Sequence, residues 1–158
     1  MAHVEATDHF YESIVNICNE EKIYNWLFRE SLEGKPYTRT KAESFKKWGT
    51  DGWNSNTHFV FLTLSESADV AAACSIKSSD LESAEIGYWS SSNHRGIMTN
   101  AVKAMVKNGF EAGFKSFFAK VKSKNSDSAA VLVRAGFLKS NKVDGEGFET
   151  YHLQNPSK

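Results

Sequence analysis

A strand-to-helix junction near the middle of the chain has the residue types of an anion-binding site. The segment Ser90 to Thr99 follows a predicted strand, Ala84 to Trp89, and leads into a helix predicted from Gly96 to Ala112. The first amides of a helix have no partner within it, and the helix dipole favours negative charge there. Phosphate or pyrophosphate is the natural ligand of such a turn. Because the chain has no complete GxGxxG or Walker pattern, this turn by itself fits an ordinary connection as well.

The elements around the junction predict an α+β fold. Helical spacing dominates the first third of the chain, and the segment Gly49 to Asn56 is predicted to be a loop. Strands are predicted over His58–Leu64, Val70–Ile76, Ala84–Trp89 and Phe117–Lys122, with a final pair that meets at Asp144–Gly147. A short helix from Ser126 or Asp127 to Arg134 precedes that pair. This order predicts a mixed, mostly antiparallel central sheet flanked by helices, with a parallel pair in its middle.

The net charge of zero conceals two unequal parts. The chain has 158 residues, of which 19 are basic and 19 acidic. Between Arg95 and Lys142 there are ten basic and two acidic residues, so this stretch carries +8 and the remainder −8. A balanced total argues against nucleic acid or a membrane surface as the main partner. The basic stretch could face a small anion, or it could consist of solvated helix and strand faces.

Cysteine spacing and hydropathy exclude other classes of protein. Cys18 and Cys74 lie far apart without metal-ligand spacing, so we expect buried free thiols and no metal site. The sequence contains no apolar run long enough for a membrane helix, and its first residues lack the apolar core of a signal peptide. Without repeats or linkers, residues 1–158 are predicted to form a single domain, and the protein is expected to be cytoplasmic.

Four blocks of the sequence resemble the GNAT acetyltransferases in order and approximate spacing. They are Ala84-Glu-Ile-Gly-Tyr-Trp89, Arg95-Gly-Ile-Met-Thr-Asn-Ala-Val-Lys-Ala104, Asn125-Ser-Asp-Ser128 and Arg134-Ala-Gly-Phe137. The RimJ/RimL-like branch, which includes ribosomal-protein N-terminal acetyltransferases, is the most similar. The resemblance implies a GNAT fold and direct transfer of the acetyl group of acetyl-CoA to a primary amine, either a protein N-terminus or a small-molecule amine. Homodimers are frequent in the family, so a homodimer is a candidate oligomeric state.

The resemblance assigns the junction to the pyrophosphate of acetyl-CoA, with the pantetheine arm between two splayed central strands. The family pattern begins at Asn93, has its central glycine at Gly96 and ends at Met98. His94 stands where relatives usually have another glycine, and the loop is about two residues shorter than usual. The residues implied to contact the cofactor are Tyr88, Trp89, Ser90, His94, Arg95, Gly96, Ile97, Met98, Thr99, Asn125 and Ser128. Main-chain donors near Tyr88 and Trp89 would stabilise the oxyanion.

Glu85 and Ser128 are the catalytic residues that the resemblance implies. Glu85 stands in the Ala-Glu-Ile context where histone acetyltransferases of the family place their general base, and a carboxylate can accept the proton of an ammonium substrate. The alternative is a strand glutamate in a surface salt bridge. Ser128 follows Asn125 by three residues, like the serine of RimL-like enzymes that is a candidate for protonating the CoA thiolate. Leu132 replaces the tyrosine of other members, so Ser128 is predicted to be the only local donor.

The acceptor site is predicted in the first third of the chain. Tyr37 and Trp53 are predicted to lie in loops, and they are assigned to the acceptor together with Glu85. Trp26 and Trp48 occur at helical spacing and are predicted to be core residues. Most of the compensating negative charge lies in this part of the chain, which fits a cationic amine.

Two other functions fit parts of the sequence. A degenerate family member would bind CoA as a sensor or partner module without catalysis, as His94, the short loop and the lack of a predicted strand before Phe10 suggest. A small nucleic-acid-binding domain would use the basic segment Lys115 to Lys124. Its affinity would depend steeply on salt, and free CoA would not compete with it.

Overall fold

Six strands form one mixed sheet in the computed structural model, which describes residues 6–93 and 96–156. The strands are β1 (Phe59–Leu64), β2 (Val70–Ile76), β3 (Ala84–Ser90), β4 (Ser116–Lys122), β5 (Leu138–Val143) and β6 (Phe148–Gln154). Their order in the sheet is β1-β2-β3-β4-β6-β5. Every neighbouring pair is antiparallel except β3 and β4, which are parallel. The predicted mixed sheet with a parallel pair in its middle is therefore confirmed.

Helices cover parts of both faces of this sheet. They are α1 (Asp8–Cys18), α2 (Glu21–Ile23), which continues into a π-helix (Tyr24–Phe28), α3 (Arg39–Ser55), α4 (Ile97–Glu111) and α5 (Ser126–Arg134). One face packs against α4 and α5, and we call it the α4 side. The other packs against α1 and α3 over β1 and β2, and we call it the α1 side. None of the helices described is long and apolar enough to cross a membrane.

Each face has its own apolar cluster, because side chains alternate along a strand. The larger cluster, on the α4 side, includes the fully buried Phe117, Val102 and Leu132. The smaller cluster, on the α1 side, is centred on Ile14 and its neighbours from α1. Strand β3 contributes to both: Ile86 and Tyr88 pack in the larger cluster and Trp89 in the smaller one. This anchors β3 from both sides and fixes which of its side chains face which helices.

The prediction of a loop over Gly49–Asn56 is wrong, because α3 continues without a break to Ser55. Glycine usually weakens a helix, but here it allows close packing. A Cβ atom on Gly52 would overlap the His58 ring. The glycine therefore lets α3 approach the start of β1. Asn56, with φ of +58°, ends the helix in the left-handed conformation.

Strands β3 and β4 separate soon after they meet. Only two residue pairs join them, Ala84 with Phe117 and Glu85 with Phe118. Beyond those pairs β2 accompanies β3 to Ser90, and β6 accompanies β4 along its whole length. The sheet therefore opens between its two halves, as the family resemblance implied, and leaves a passage from one face to the other.

Candidate active site

A cavity of 120 Å³ occupies the opening between β3 and β4. Residues 86–88 of β3 form one wall, and residues 119–122 of β4 form the other. The first turn of α5 closes it on the α4 side, while Trp26 and Leu27 of the π-helix lie at its rim. Since Tyr88 faces the α4 side and Gly87 the α1 side, the cavity reaches both faces of the sheet.

Two hydroxyl groups meet at the wall of this cavity. The hydroxyls of Tyr88 and Ser128 lie 2.8 Å apart, and the Tyr88 hydroxyl also donates to the Ser128 carbonyl at 2.9 Å. Burial raises the pKa of Tyr88 to about 12, so the phenol stays protonated at neutral pH. The prediction that Ser128 is the only local proton donor is therefore wrong, because Tyr88 brings a second hydroxyl from across the opening.

Asn125 fixes the position of Ser128. It is the N-cap of α5, and its side-chain oxygen accepts from the Ser128 N–H at 3.2 Å. Such a cap typically contributes about 1 kcal/mol to helix stability. Asn125 also lines the cavity, and because its oxygen is used in the cap, its NH₂ group is the part with which a ligand could bond.

Backbone N–H groups of β3 point into the opening at alternate residues. The Glu85 carbonyl and the Ser91 N–H both bond on the side of β2. Because these directions alternate along a strand, the N–H groups of Tyr88 and Ser90 point the other way, toward the opening. Trp89 directs its N–H to β2, so of the two predicted oxyanion positions only Tyr88 has a main-chain donor facing the cavity.

The start of α4 has the backbone of an anion site. Gly96 is its N-cap with φ of +86°, a conformation that favours glycine, and no side chain caps the helix. The first turn contains no acidic residue, so the N–H groups of Ile97, Met98 and Thr99 are available to an anion. Met98 is buried in the larger cluster and anchors this turn to the sheet. The two other residues predicted here, His94 and Arg95, lie outside the described residues.

A carboxylate from the α1–α2 connection holds the loop before α4. Glu20 accepts hydrogen bonds from the Ser91 hydroxyl at 2.7 Å and from the Ser92 N–H at 2.8 Å. The Ser91 oxygen in turn accepts from the Asn93 N–H at 3.2 Å. Residues 91–93 are thus braced from another part of the chain. Sequence reasoning missed Glu20, because no local motif signals a contact across 71 positions.

Glu85 lies next to the cavity in an ion pair. Its carboxylate is 2.6 Å from the Lys77 ammonium, and its side chain is 31% exposed. The Lys77 side chain crosses Gly87, where an added Cβ would lie 2.8 Å from the lysine Cε. Lys77 belongs to the cavity wall, whereas Glu85 does not. The predicted base and the Tyr88 side chain therefore lie on the same strand, β3, but on opposite faces of the sheet, and Ser128 joins Tyr88 from α5.

The two aromatic residues predicted to contact the acceptor lie elsewhere. Tyr37 lies in the loop before α3, as predicted, but it is only 7% exposed and packs in the smaller cluster. Trp53 lies in α3, not in a loop, and its indole N–H donates to the Val60 carbonyl at 2.9 Å. Trp26, predicted to be a core residue, is instead 37% exposed at the cavity rim. Trp26 lies in a π-helix, whose turns differ from those of an α-helix. Regular α-helical spacing therefore assigned it to the wrong face.

Both cysteines are buried, as predicted. Burial raises the pKa of Cys18 and of Cys74 to about 12, so neither thiol is a nucleophile at neutral pH. Within residues 6–93 and 96–156, no group of three or more metal-ligating side chains comes together.

Several solved structures share this fold. RimL, a ribosomal L7/L12 alpha-N-protein acetyltransferase in complex with coenzyme A, superposes with a TM-score of 0.77 at 15% identity, over 97% of this chain and 93% of that chain. The Vibrio cholerae spermidine N-acetyltransferase, in complex with CoA and spermine, gives 0.72 at 12%, over 96% and 93%. Mycobacterium smegmatis RimJ, in complex with CoA-disulfide, gives 0.71 at 20%, over 92% and 76%. At these low identities, it is the superpositions that establish a common fold.

The family itself is established by sequence. No curated protein gives a significant match to the chain. Residues 3–138, however, match the family model described as an acetyltransferase (GNAT) domain. That range contains the opening between β3 and β4, the turn before α4 and the Tyr88–Ser128 pair. The resemblance predicted from the four sequence blocks is thereby confirmed, and the protein belongs to the GNAT family of acetyltransferases.

Proposed function

We propose that this protein is an N-acetyltransferase that transfers the acetyl group of acetyl-CoA directly to a primary amine. The observation that supports this best is the Tyr88–Ser128 hydroxyl pair in an opening of the sheet that reaches both faces. Two substrates can then meet at one carbonyl from opposite sides. The family match and the CoA complexes of the fold neighbours agree with this cofactor. Residues 1–158 are proposed to act as one domain.

The residues on the α4 side fit the cofactor. The amides of residues 97–99, after the left-handed Gly96, would bind the pyrophosphate. From there the pantetheine arm would pass along β3 to the opening, with the Asn125 amide as a hydrogen-bond donor. Arg95 would add a charge-assisted contact to a phosphate. The first turn of α5 would then place Ser128 beside the sulfur.

The chemistry follows from groups at the cavity wall. The amine nitrogen attacks the thioester carbonyl, and the Tyr88 N–H stabilises the oxyanion that forms. When the carbon–sulfur bond breaks, the Ser128 hydroxyl gives its proton to the CoA thiolate. The Tyr88 hydroxyl, 2.8 Å away, can turn its proton toward the Ser128 oxygen and hydrogen-bond to it until Ser128 regains a proton from water. A thiolate with a pKa of about 8.5 needs no strong acid, so a neutral hydroxyl is sufficient.

Glu85 is proposed as the base that accepts the proton of the amine. It lies on the α1 side of β3, the face from which the acceptor would enter, because α4 and its cofactor turn occupy the other face. Since Glu85 lies just outside the cavity wall, the proton would reach it through a water molecule. Its ion pair with Lys77 keeps the carboxylate at the rim.

The experiment combines two measurements on the full chain. Calorimetry with acetyl-CoA should show binding, and a thiol-release assay over peptide and small-molecule amines should show acceptor-dependent formation of CoA. The sensor alternative predicts binding without release. Lack of acetyl-CoA binding would contradict both proposals.

A further inference from the structure

The cavity wall on the α1 side is lined by lysines. Lys77, Lys120 and Lys122 all belong to it, and its described lining contains no aspartate or glutamate. Side-chain alternation along β4 explains the arrangement, because Phe117, Ala119 and Val121 pack beneath α4 and α5. The even-numbered lysines therefore face the opposite side of the sheet. The acidic acceptor cleft expected from the charge distribution does not form around this cavity.

The three ammonium groups differ in how well they are neutralised. Lys77 is paired with Glu85 at 2.6 Å. Lys122 meets Glu30 at 3.2 Å, but that glutamate is 91% exposed, and such pairs are weak in water. Among the residues described, Lys120 has no acidic partner. The α1 side of the opening thus holds one positive charge without an acidic partner among the residues described, at Lys120, and a second, at Lys122, that is only weakly compensated.

Apolar surface flanks these lysines. The Lys122 ammonium lies 5.7 Å from the centre of the Phe148 ring. On the other side Trp26 and Leu27 are 37% and 46% exposed at the cavity rim. A ligand here would meet both cations and apolar side chains, which is the chemistry of a small organic anion or an acidic peptide end.

We propose that the acceptor amine carries a carboxylate or phosphate group close to it, which Lys120 and Lys122 bind on the α1 side. The inference rests on the proposed acetyltransferase function and identifies its class of acceptor. The amine would enter the opening while the anionic group stays at the lysines. The phosphates of CoA are not the anion meant, because the start of α4 lies on the opposite face of the sheet from these lysines.

The test titrates matched probes into the full chain saturated with CoA. One pair is O-phosphoethanolamine and ethanolamine, and the other is the peptide amides Ala-Asp-Asp-Phe and Ala-Asn-Asn-Phe. The anionic member of at least one pair should bind about 10-fold more tightly, as expected for a hydrogen bond to a charged group. The pair that shows the preference identifies a small molecule or a peptide as the source. Equal or weaker binding of both anionic members would overturn the inference.

Substitutions show whether Lys120 and Lys122 cause the preference for the anionic probe. In Lys120→Glu and in Lys122→Gln the anionic probe should lose about 10-fold in affinity while the neutral probe changes by less than about twofold. Lys103→Gln, on the exposed face of α4, is the matched control and should bind both probes normally. Weaker binding of CoA in the β4 variants, with unchanged probe binding, would assign the lysines to the cofactor and overturn the inference. Failure of the unaltered chain to bind CoA would instead contradict the proposed function, on which the inference depends.

Discussion

The two sides of the opening between β3 and β4 carry different kinds of polar side chain. On the α4 side the polar groups are neutral, short and bonded to one another: Tyr88, Ser128 and Asn125 form one connected set at 2.8–3.2 Å. On the α1 side they are long, charged and partly exposed: Lys77 and Lys122 are each paired with a glutamate, whereas Lys120 has no acidic partner among the residues described. The first set is fixed by core packing and a helix cap, whereas the second can rearrange.

This difference suggests that the α4 side positions the cofactor and that the α1 side selects the acceptor. The thioester of acetyl-CoA is the same in every reaction, so side chains held rigidly in place can bind and orient it. Acceptors differ more, and lysine side chains on an open strand surface can follow them at little structural cost. Substitutions on the α4 side should therefore change turnover, and substitutions on the α1 side should change which acceptor is used.

Removing both hydroxyls of the α4 side should cause the largest loss. The double variant Tyr88→Phe/Ser128→Ala lacks both hydroxyls that are proposed to protonate the thiolate, so kcat should fall about 1000-fold. Each single variant should lose less than half of that effect on a logarithmic scale, because the partner hydroxyl remains. Steady-state kinetics on the three variants, with thermal unfolding to check the fold, measures both quantities. A double variant with nearly normal kcat would exclude this pair as the acid.

Glu85→Gln tests the α1 side at the residue that is proposed to act as the general base. Loss of the proton acceptor should lower kcat about 100-fold at neutral pH, with less effect as the pH rises and the free amine becomes more abundant. A control is Lys77→Met, which removes the ion pair but leaves the carboxylate. If both variants reduce kcat equally at every pH, the ion pair is structural and Glu85 is not the base.

Gly96→Ala tests whether the cofactor turn depends on its backbone. The position has φ of +86°, and no atom of the residues that the structure describes lies within 4 Å of the place that an added Cβ would take, so the expected cost comes from conformation and not from a clash. Such a residue costs about 1 kcal/mol or more in the left-handed region. The KM for acetyl-CoA should rise about 10-fold while kcat changes little. Gly145→Ala, in the β5–β6 turn with φ outside the left-handed range, is the control.

The sequence predicted the sheet well because its patterns are local. Strands β1 to β3 show alternation or continuous apolar runs, and α4 repeats Val102, Val106 and Phe110 at helical spacing. The error at Gly49–Asn56 has a tertiary cause, since Gly52 is required by the approach of His58 and not by a turn. Local propensity cannot distinguish these two uses of glycine.

The site was predicted in part for the same reason. Ser128, Asn125 and Gly96 lie in short motifs, and the structure places them at the cavity and at the start of α4. Tyr88 was expected only for its main chain, because its hydroxyl meets Ser128 across 40 positions. Trp26 and Glu20 depend on how the segment between α1 and α3 folds over the opening, which no periodicity specifies.

Glu20 connects the two sides, and its substitution should have the smallest effect. It belongs to the α1 side of the chain but braces the loop before α4 through two hydrogen bonds. Glu20→Gln keeps one acceptor and loses the other, so the KM for acetyl-CoA should rise about 5-fold with kcat unchanged, a cost of roughly 1 kcal/mol. Glu21→Gln, the exposed neighbour, should leave both constants unchanged. If Glu20→Gln instead lowers this KM, repulsion between the carboxylate and the cofactor outweighs the brace, and the short loop is held in place at the expense of affinity.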